Sequence, residues 1–257
     1  MSFIKLRGRK IYFEIHGSGD PLVLLHHGFG CTKMWKDIYP PLVESGYQVI
    51  MYDRRGYGRS EEGGNFKQFY VSDAFRSESV AELNQFMDFL NLASFHLIGQ
   101  CEGGVIAVDY AAQFPQRVKT VVTSSTQCYS NGPMTDFNKE KFPHPFQGLE
   151  PELQEKLISW HGKRRAEPFF NQFRRYGGAY GKGVFDLRPS LLKVACPSLV
   201  LFPDRSFLFD VEQGVDFYRH LPAGELAVLP RCGHNTYEHQ PTEYVHQVLA
   251  FLKRHHY

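Results

Sequence analysis

Short, almost wholly apolar runs at residues 22–26, 49–52 and 95–98 alternate along this chain with segments of helical periodicity. Runs of this kind fit strands buried on both faces of a parallel sheet. Helices are predicted over 33–45 and 72–90; in the second, Val80, Leu83, Phe86, Met87 and Leu90 recur at helical spacing. The rhythm resumes with a helix at 103–112, strands at 118–123 and 198–202, a helix at 211–220, a strand at 226–229 and a last helix at 241–254. Alternating strands and helices imply an α/β fold, a mostly parallel twisted sheet with helices on both faces. Residues 3–15 mix β-formers with charge and read as two antiparallel edge strands turning near Gly8.

Residues 128–190 break the alternation. They are rich in aromatics, Pro and Gly, with helical patches at 153–160 and 169–176. Their aromatics need burial and the strand succession continues after them, so the stretch is expected to be an inserted cap rather than a linker. The expected organisation is a core of residues 1–127 and 191–257 interrupted by a cap of residues 128–190. Within it, Gly177-Gly178-Ala179-Tyr180-Gly181-Lys182-Gly183 has no preceding strand and reads as a flexible segment rather than a phosphate cradle.

Composition changes this picture little. With 257 residues, 42% hydrophobic and 22% charged, the chain is long enough for one large core and far from disordered composition. A net charge of +2 with dispersed basic residues gives no reason to invoke nucleic acid or an anionic membrane. The N-terminal residues lack the apolar region of a secretory signal, and no later stretch reaches the roughly 18 apolar residues of a membrane span. A cytoplasmic protein is the expectation. Five widely spaced cysteines, an odd number without paired zinc-type spacing, argue against a disulfide framework. No metal or organic cofactor is implied.

The sharpest chemical signal is Gly99-Gln100-Cys101-Glu102-Gly103-Gly104, directly after an apolar strand and directly before a helix. A tight strand-to-helix turn at this point would hold Cys101 in a strained conformation above the sheet edge, with glycines where side chains would collide. The following helix N-terminus would lower the thiol pKa from its free value of about 8.5, while Glu102 would work against that.

These residues resemble the nucleophile-elbow pattern of the α/β-hydrolases with Cys in place of Ser, and Leu24-Leu25-His26-His27-Gly28-Phe29-Gly30 resembles the His-Gly loop of the same family. The resemblance implies the α/β-hydrolase fold and an oxyanion hole built from the backbone N–H groups of Phe29 and Glu102. Asp53-Arg54-Arg55-Gly56-Tyr57-Gly58-Arg59-Ser60 resembles a loop of the same family and is assigned a structural role. Cys232-Gly233-His234, after the last strand, stands where the family keeps its catalytic histidine. His234 would take the proton of Cys101 and return one to the leaving group; His239 is expected to be a surface residue at a helix start.

The acid departs from the family pattern. Gap-free alignment of residues 197–206 puts Ser206 where the aspartate stands, and the other family site for an acid reads Ser124-Ser125-Thr126. Asp204, two residues earlier on the same loop, is the preferred acid, with Asp210 next. A Cys-His dyad oriented by Ser206 or a backbone carbonyl is the competing view, since cysteine ionises more easily than serine.

The elbow is similar to those of dienelactone hydrolases and polyhydroxyalkanoate synthases, whereas the cap and His-Gly loop look more like carboxylesterases and C–C bond hydrolases. The expected activity is hydrolysis of a small-molecule carboxylic ester, lactone or thioester through an acyl-cysteine. Aromatics of the cap (Trp160, Phe169, Phe170, Phe173, Tyr176) either line the pocket or fill the cap's own core. The alternatives are acyl transfer, C–C bond hydrolysis, or a small-molecule binding protein that has lost turnover.

Overall fold

The computed structural model describes residues 2–255. Its sheet strands are β1 (Ser2–Leu6), β2 (Arg9–His16), β3 (Asp20–Leu25), β4 (Tyr47–Tyr52), β5 (Phe95–Gln100) and β6 (Val118–Ser124), then β9 (Ser198–Pro203) and β10 (Gly224–Leu229) after a smaller pair, β7 (Tyr129–Pro133) and β8 (Val184–Asp186). The eight lie in the order β1-β2-β4-β3-β5-β6-β9-β10. β1 and β2 pair antiparallel, β2 joins β4 antiparallel, and every later neighbour is parallel.

The alternation of side chains along a strand decides how the two faces are filled. In β3, Val23 and Leu25 enter one core while Leu22 and Leu24 enter the other; β9 divides Val200 and Phe202 from Leu199 and Leu201 in the same way. The first core is closed by α3 (Phe75–Phe89) and α4 (Glu102–Gln113), through Leu83, Phe86, Val105 and Val108. The second is closed by α1 (Tyr39–Glu44) and α11 (Pro241–Arg254), through Leu42, Tyr244, Val248 and Phe251. Each such fully buried side chain contributes about 1.5–3 kcal/mol, so the central strands are fixed from both sides.

Two helices differ from the sequence expectation. The pattern at 33–45 splits into a 3-10 turn at Thr32–Trp35 and α1, because Pro40 and Pro41 fit only the first turn of a helix. The pattern at 72–90 begins at Phe75 and is preceded by α2 (Phe66–Tyr70).

Between β6 and β9 the chain leaves the sheet. It forms β7, α5 (Met134–Lys141), α6 (Pro151–His161), α7 (Ala166–Tyr176) and β8, returning through α8 (Arg188–Leu191); α9 (Glu212–Arg219) and α10 (Thr236–His239) belong to the later part of the chain. The antiparallel β7–β8 pair was not foreseen from the sequence, being short and without apolar alternation. Phe146, Leu157, Ala166 and Phe170 make a small apolar cluster inside the excursion. Other aromatics face inward, Phe169 and Phe173 joining the main core, which lays the excursion over the carboxyl ends of the parallel strands. No described helix is long and apolar enough to cross a membrane.

Candidate active site

Cys101 sits between β5 and α4 with φ 51° and ψ −114°. For a residue with a Cβ this left-handed conformation costs on the order of 1–3 kcal/mol and persists only where its surroundings enforce it. Enforcement is visible on both sides. The Cys101 amide donates to the Ser124 carbonyl at 2.7 Å, and its own carbonyl accepts the Gly104 amide at 2.9 Å. A Cβ at Gly103 would stand 2.1 Å from the Leu25 carbonyl oxygen, and one at Gly99 would stand 2.4 Å from that of Gly103. Only glycine lets the turn close this tightly.

The sulfur is buried, and its hydrogen-bond partner is Tyr180 Oη at 3.5 Å. Burial pushes the Cys101 thiol up to about 12; Tyr180 and the Glu102 amide pull it down, and the Glu102 carboxylate raises it. The helix N-terminus therefore does not lower this thiol below the free value, contrary to the sequence expectation, because desolvation of a thiolate exceeds what one turn of amides returns.

Glu102 is wholly buried and paired with Arg54, Nη2 to Oε1 at 2.8 Å. Tyr57 donates to the same oxygen at 2.7 Å, and the amide of Ala179 donates to Oε2 at 2.9 Å. Arg54 Nη2 also donates to the carbonyls of His26 and His27 at 3.0 and 3.2 Å. Thus Glu102 ties together the elbow, the His-Gly loop and the turn carrying Tyr180. Gly178 in that turn has φ +56°, and a Cβ on it would overlap the Glu102 carboxylate. The glycine run from Gly177 is in this respect a close-approach device, which its lack of side chains alone did not reveal.

His234 lies in the turn after β10, buried, with its carbonyl accepting from Gln100 Nε2 at 3.0 Å and Ser125 Oγ at 2.7 Å. Thr236 Oγ1 reaches both Ser124 Oγ at 2.6 Å and Gln100 Oε1 at 3.1 Å. These bonds stitch the histidine loop to the ends of β5 and β6, next to the elbow. The ring meets Phe207 and Phe209 edge-on, at 5.8 and 5.5 Å between centroids, and Phe209 in turn contacts Tyr180 at 6.0 Å. Burial first, and His239 second, push the His234 imidazole down to about 3.

Asp204, the expected acid, is engaged away from His234 Nδ1. Asp204 Oδ1 accepts the Cys232 amide at 3.0 Å, and the Arg231 and Cys232 amides hold its carboxyl low. The partner at His234 Nδ1 is Ser206 Oγ at 3.1 Å. The turn leaving β9 sends Asp204 sideways to brace the 230–232 segment, and the gap-free position falls on Ser206. Asp210 is exposed and stands ahead of α9, its carbonyl accepting the Gln213 amide at 3.0 Å. His239 Nδ1 accepts the Gly233 amide at 3.0 Å.

Of the two expected oxyanion donors, the Glu102 amide lies beside the sulfur. The Phe29 amide is turned instead to His27 Nδ1, at 3.3 Å. His27 is buried, with Nε2 at 3.1 Å from the Tyr237 hydroxyl, and burial drives its imidazole well below the ordinary value. The Phe29 carbonyl accepts from Nε2 of His161 at 2.9 Å, while Nδ1 of His161 accepts the Gly58 amide at 3.0 Å. Asp53, as its structural role implies, accepts the amides of Thr32 at 2.7 Å and Arg59 at 2.8 Å.

Tyr180, His161, Gln100 and Thr236 were not singled out as site residues from sequence. Tyr180 and His161 lie in the excursion, where no motif flags them; Gln100 was signalled only by standing beside the nucleophile position. A hollow of about 350 Å3 lies outside the Tyr180 turn, lined by Tyr70, Phe75, Tyr176 and Tyr180. A larger one, about 550 Å3, is walled by Met34, Trp160 and Tyr237 and includes neither Cys101 nor His234. Among the described residues no group of three His, Cys, Asp or Glu could hold a metal ion.

The Cys101 turn lies on the carboxyl edge of a parallel sheet, and the loop carrying His234, from beyond the last strand, is hydrogen-bonded beside it to Gln100 and Ser125. Residues 20–154 match the α/β hydrolase fold family, and the chain belongs to that family. It is similar to a proline iminopeptidase of Clostridioides difficile, 36% identical over 129 residues, 48% of this chain and 42% of that enzyme. The chain thus spans less than half of that peptidase. Over 250 residues it is 23% identical to 2-hydroxy-6-oxononadienedioate/2-hydroxy-6-oxononatrienedioate hydrolase of Comamonas testosteroni, covering 86% of this chain and 85% of that one. In fold it is similar to a thermophilic esterase from Thermogutta terrifontis (TM-score 0.79, 20% identity, 100% of both chains). It is also similar to the enol-lactonase of Burkholderia xenovorans LB400 (TM-score 0.77, 18% identity, 98% of this chain and all of that one).

Proposed function

We propose that this α/β-hydrolase cleaves a small carboxylic ester, lactone or thioester through an acyl-cysteine intermediate, with Cys101 as nucleophile and His234 as its base. The observation that carries the reading is the left-handed backbone of Cys101, strain retained at the one position where the fold family puts its nucleophile. Resting thiol and imidazole are both neutral, since burial pushes one to about 12 and the other to about 3. The proton therefore moves from Sγ to Nε2 of His234 as the S–C bond forms, not beforehand.

In that step the carbonyl electron pair moves onto oxygen, where the Glu102 amide donates to it. The Phe29 amide joins once it is released from His27. Collapse of the tetrahedral adduct expels the alcohol or thiol, which takes the proton from His234. Water then attacks the acyl-cysteine, giving its proton to His234, and the acid leaves as Sγ is reprotonated. Tyr180 lies against the sulfur, so substrate admission requires the 177–181 turn to move outward.

Cys101→Ala assayed on p-nitrophenyl acetate and a short acyl thioester tests this. Turnover is expected to fall by about 10³-fold or more, and wild-type protein quenched during turnover should carry one acyl group on Cys101 by mass. Unchanged turnover in the variant removes the reading.

One observation favours a second reading, a small-molecule binder without turnover: His234 has a hydroxyl rather than a carboxylate on Nδ1. A binder would show saturable ligand uptake with no acyl adduct and no released acid.

A further inference from the structure

We infer that Ser206 holds the resting His234 with its proton on Nε2, so that the imidazole is a donor at rest and must exchange tautomers before it acts as a base. The inference rests on the acyl-cysteine reading above and adds to it the residue that sets the state of the base. Ser206 is a positioning residue in this account, acting through His234.

The lone pairs of Ser206 Oγ decide the tautomer. Ser206 Oγ lies 3.1 Å from His234 Nδ1, and it also receives the backbone amides of Leu208 at 3.1 Å and Phe209 at 3.2 Å. A hydroxyl offers two lone pairs and one proton. The amides can donate and nothing else, so they take both lone pairs, and what remains for the imidazole is the O–H. Ser206 therefore donates to Nδ1, and a neutral ring that accepts at Nδ1 carries its proton at Nε2.

The charged ring is no alternative. His234 is buried against Phe207 and Phe209, and the group on Nδ1 is uncharged. A carboxylate in the place of Ser206 would have reversed the arrangement. Its two oxygens offer about four lone-pair sites, enough for both amides and for Nδ1–H, which would leave Nε2 bare.

The consequence falls on the attack step. For Nε2 to take the Sγ proton as the S–C bond forms, Nδ1 must hold the ring's other proton. Ser206 must then release one amide and accept Nδ1–H in its place. The loop from Ser206 to Phe209 thus works against the base in the resting enzyme, and turnover should be slower than the elbow geometry permits.

Long-range proton–nitrogen NMR of histidine-labelled protein, with His234 assigned by its loss in His234→Asn, reads the tautomer directly. The wild type is expected to show Nε2 protonated and Nδ1 bare at neutral pH. Ser206→Asp is expected to move the proton to Nδ1, raise the titration midpoint of His234, and increase kcat on p-nitrophenyl acetate roughly tenfold or more, a part of the about 10²–10⁴-fold that a general base supplies, with little change in KM. A wild-type ring protonated on Nδ1 overturns the inference, as does a Ser206→Asp enzyme with Nδ1 protonated and kcat no higher. If Ser206→Asp does not fold, the wild-type spectrum alone decides. Loss of the acyl-cysteine reading shows separately, as Cys101→Ala that still turns over, and leaves the tautomer result standing.

Discussion

His161, the last residue of α6, bridges two loops of the core: its Nε2 donates to the Phe29 carbonyl at 2.9 Å and its Nδ1 accepts the Gly58 amide at 3.0 Å. The ring is buried and stacks on Phe169 at 4.3 Å. A peptide is rigid, so holding the Phe29 carbonyl fixes the direction of the loop's next amide and restrains its own. The excursion is in this way coupled to the loop proposed to hold the oxyanion.

His161→Ala is accordingly expected to leave the Gly58 amide and Phe29 carbonyl without partners and to lower stability by about 1–3 kcal/mol. On the proposed activity, kcat should fall more than KM rises. A variant with full stability by urea unfolding and unchanged kcat would show that the bridge does neither.

Tyr180 should act as a plug on the thiol. Removing its side chain in Tyr180→Ala is expected to speed iodoacetamide labelling of Cys101 at pH 8 by about tenfold or more, since both access and solvation of the thiolate improve. Tyr180→Phe, which keeps the ring, should stay close to the wild type. Equal labelling rates for Tyr180→Ala and wild type would mean that the turn is already open in solution.

Glu102 is expected to be indispensable to the fold for a reason separate from catalysis. Glu102→Ala leaves Arg54 charged and buried, and breaking such a pair costs about 3–5 kcal/mol. Arg54→Met combined with Glu102→Gln should recover a good part of that loss. The double variant being no more stable than Glu102→Ala by denaturant midpoint would contradict it.

Buried histidines set an acid limit on stability. The folded His161 imidazole is pushed down to about 4 by burial, His234 to about 3, and His26 and His27 lie well below the ordinary value, again by burial. Unfolded, these rings bind protons below a pH of about 6.5, so the unfolded state gains protons that the native state does not take. Stability is then full above pH 6.5 and falls as pH drops toward 4, by up to about 1.4 kcal/mol per pH unit for each such histidine. Asp53 and Glu82, whose carboxyls burial raises, work in the opposite direction. The urea midpoint should be lower at pH 5 than at pH 7, and His161→Gln should narrow the gap; equal midpoints would show that the rings are not held neutral.

What the sequence determined by itself is whatever repeats locally. The apolar runs of β3, β4 and β5 were legible because two-faced burial leaves no polar position, and α3 because Val80, Leu83, Phe86 and Met87 keep helical spacing. The turn at Cys101 was legible because glycines at fixed offsets answer collisions a few residues away. Tertiary structure alone decided that Tyr180 meets the sulfur, that His161 holds Phe29, and that Asp204 serves the Cys232 amide while Ser206 meets His234. These depend on where chain segments tens of residues apart come to lie, which no spacing records. It also decided the direction of the Cys101 thiol, since the helix N-terminus is a local feature while desolvation measures how completely the rest of the molecule closes over the sulfur.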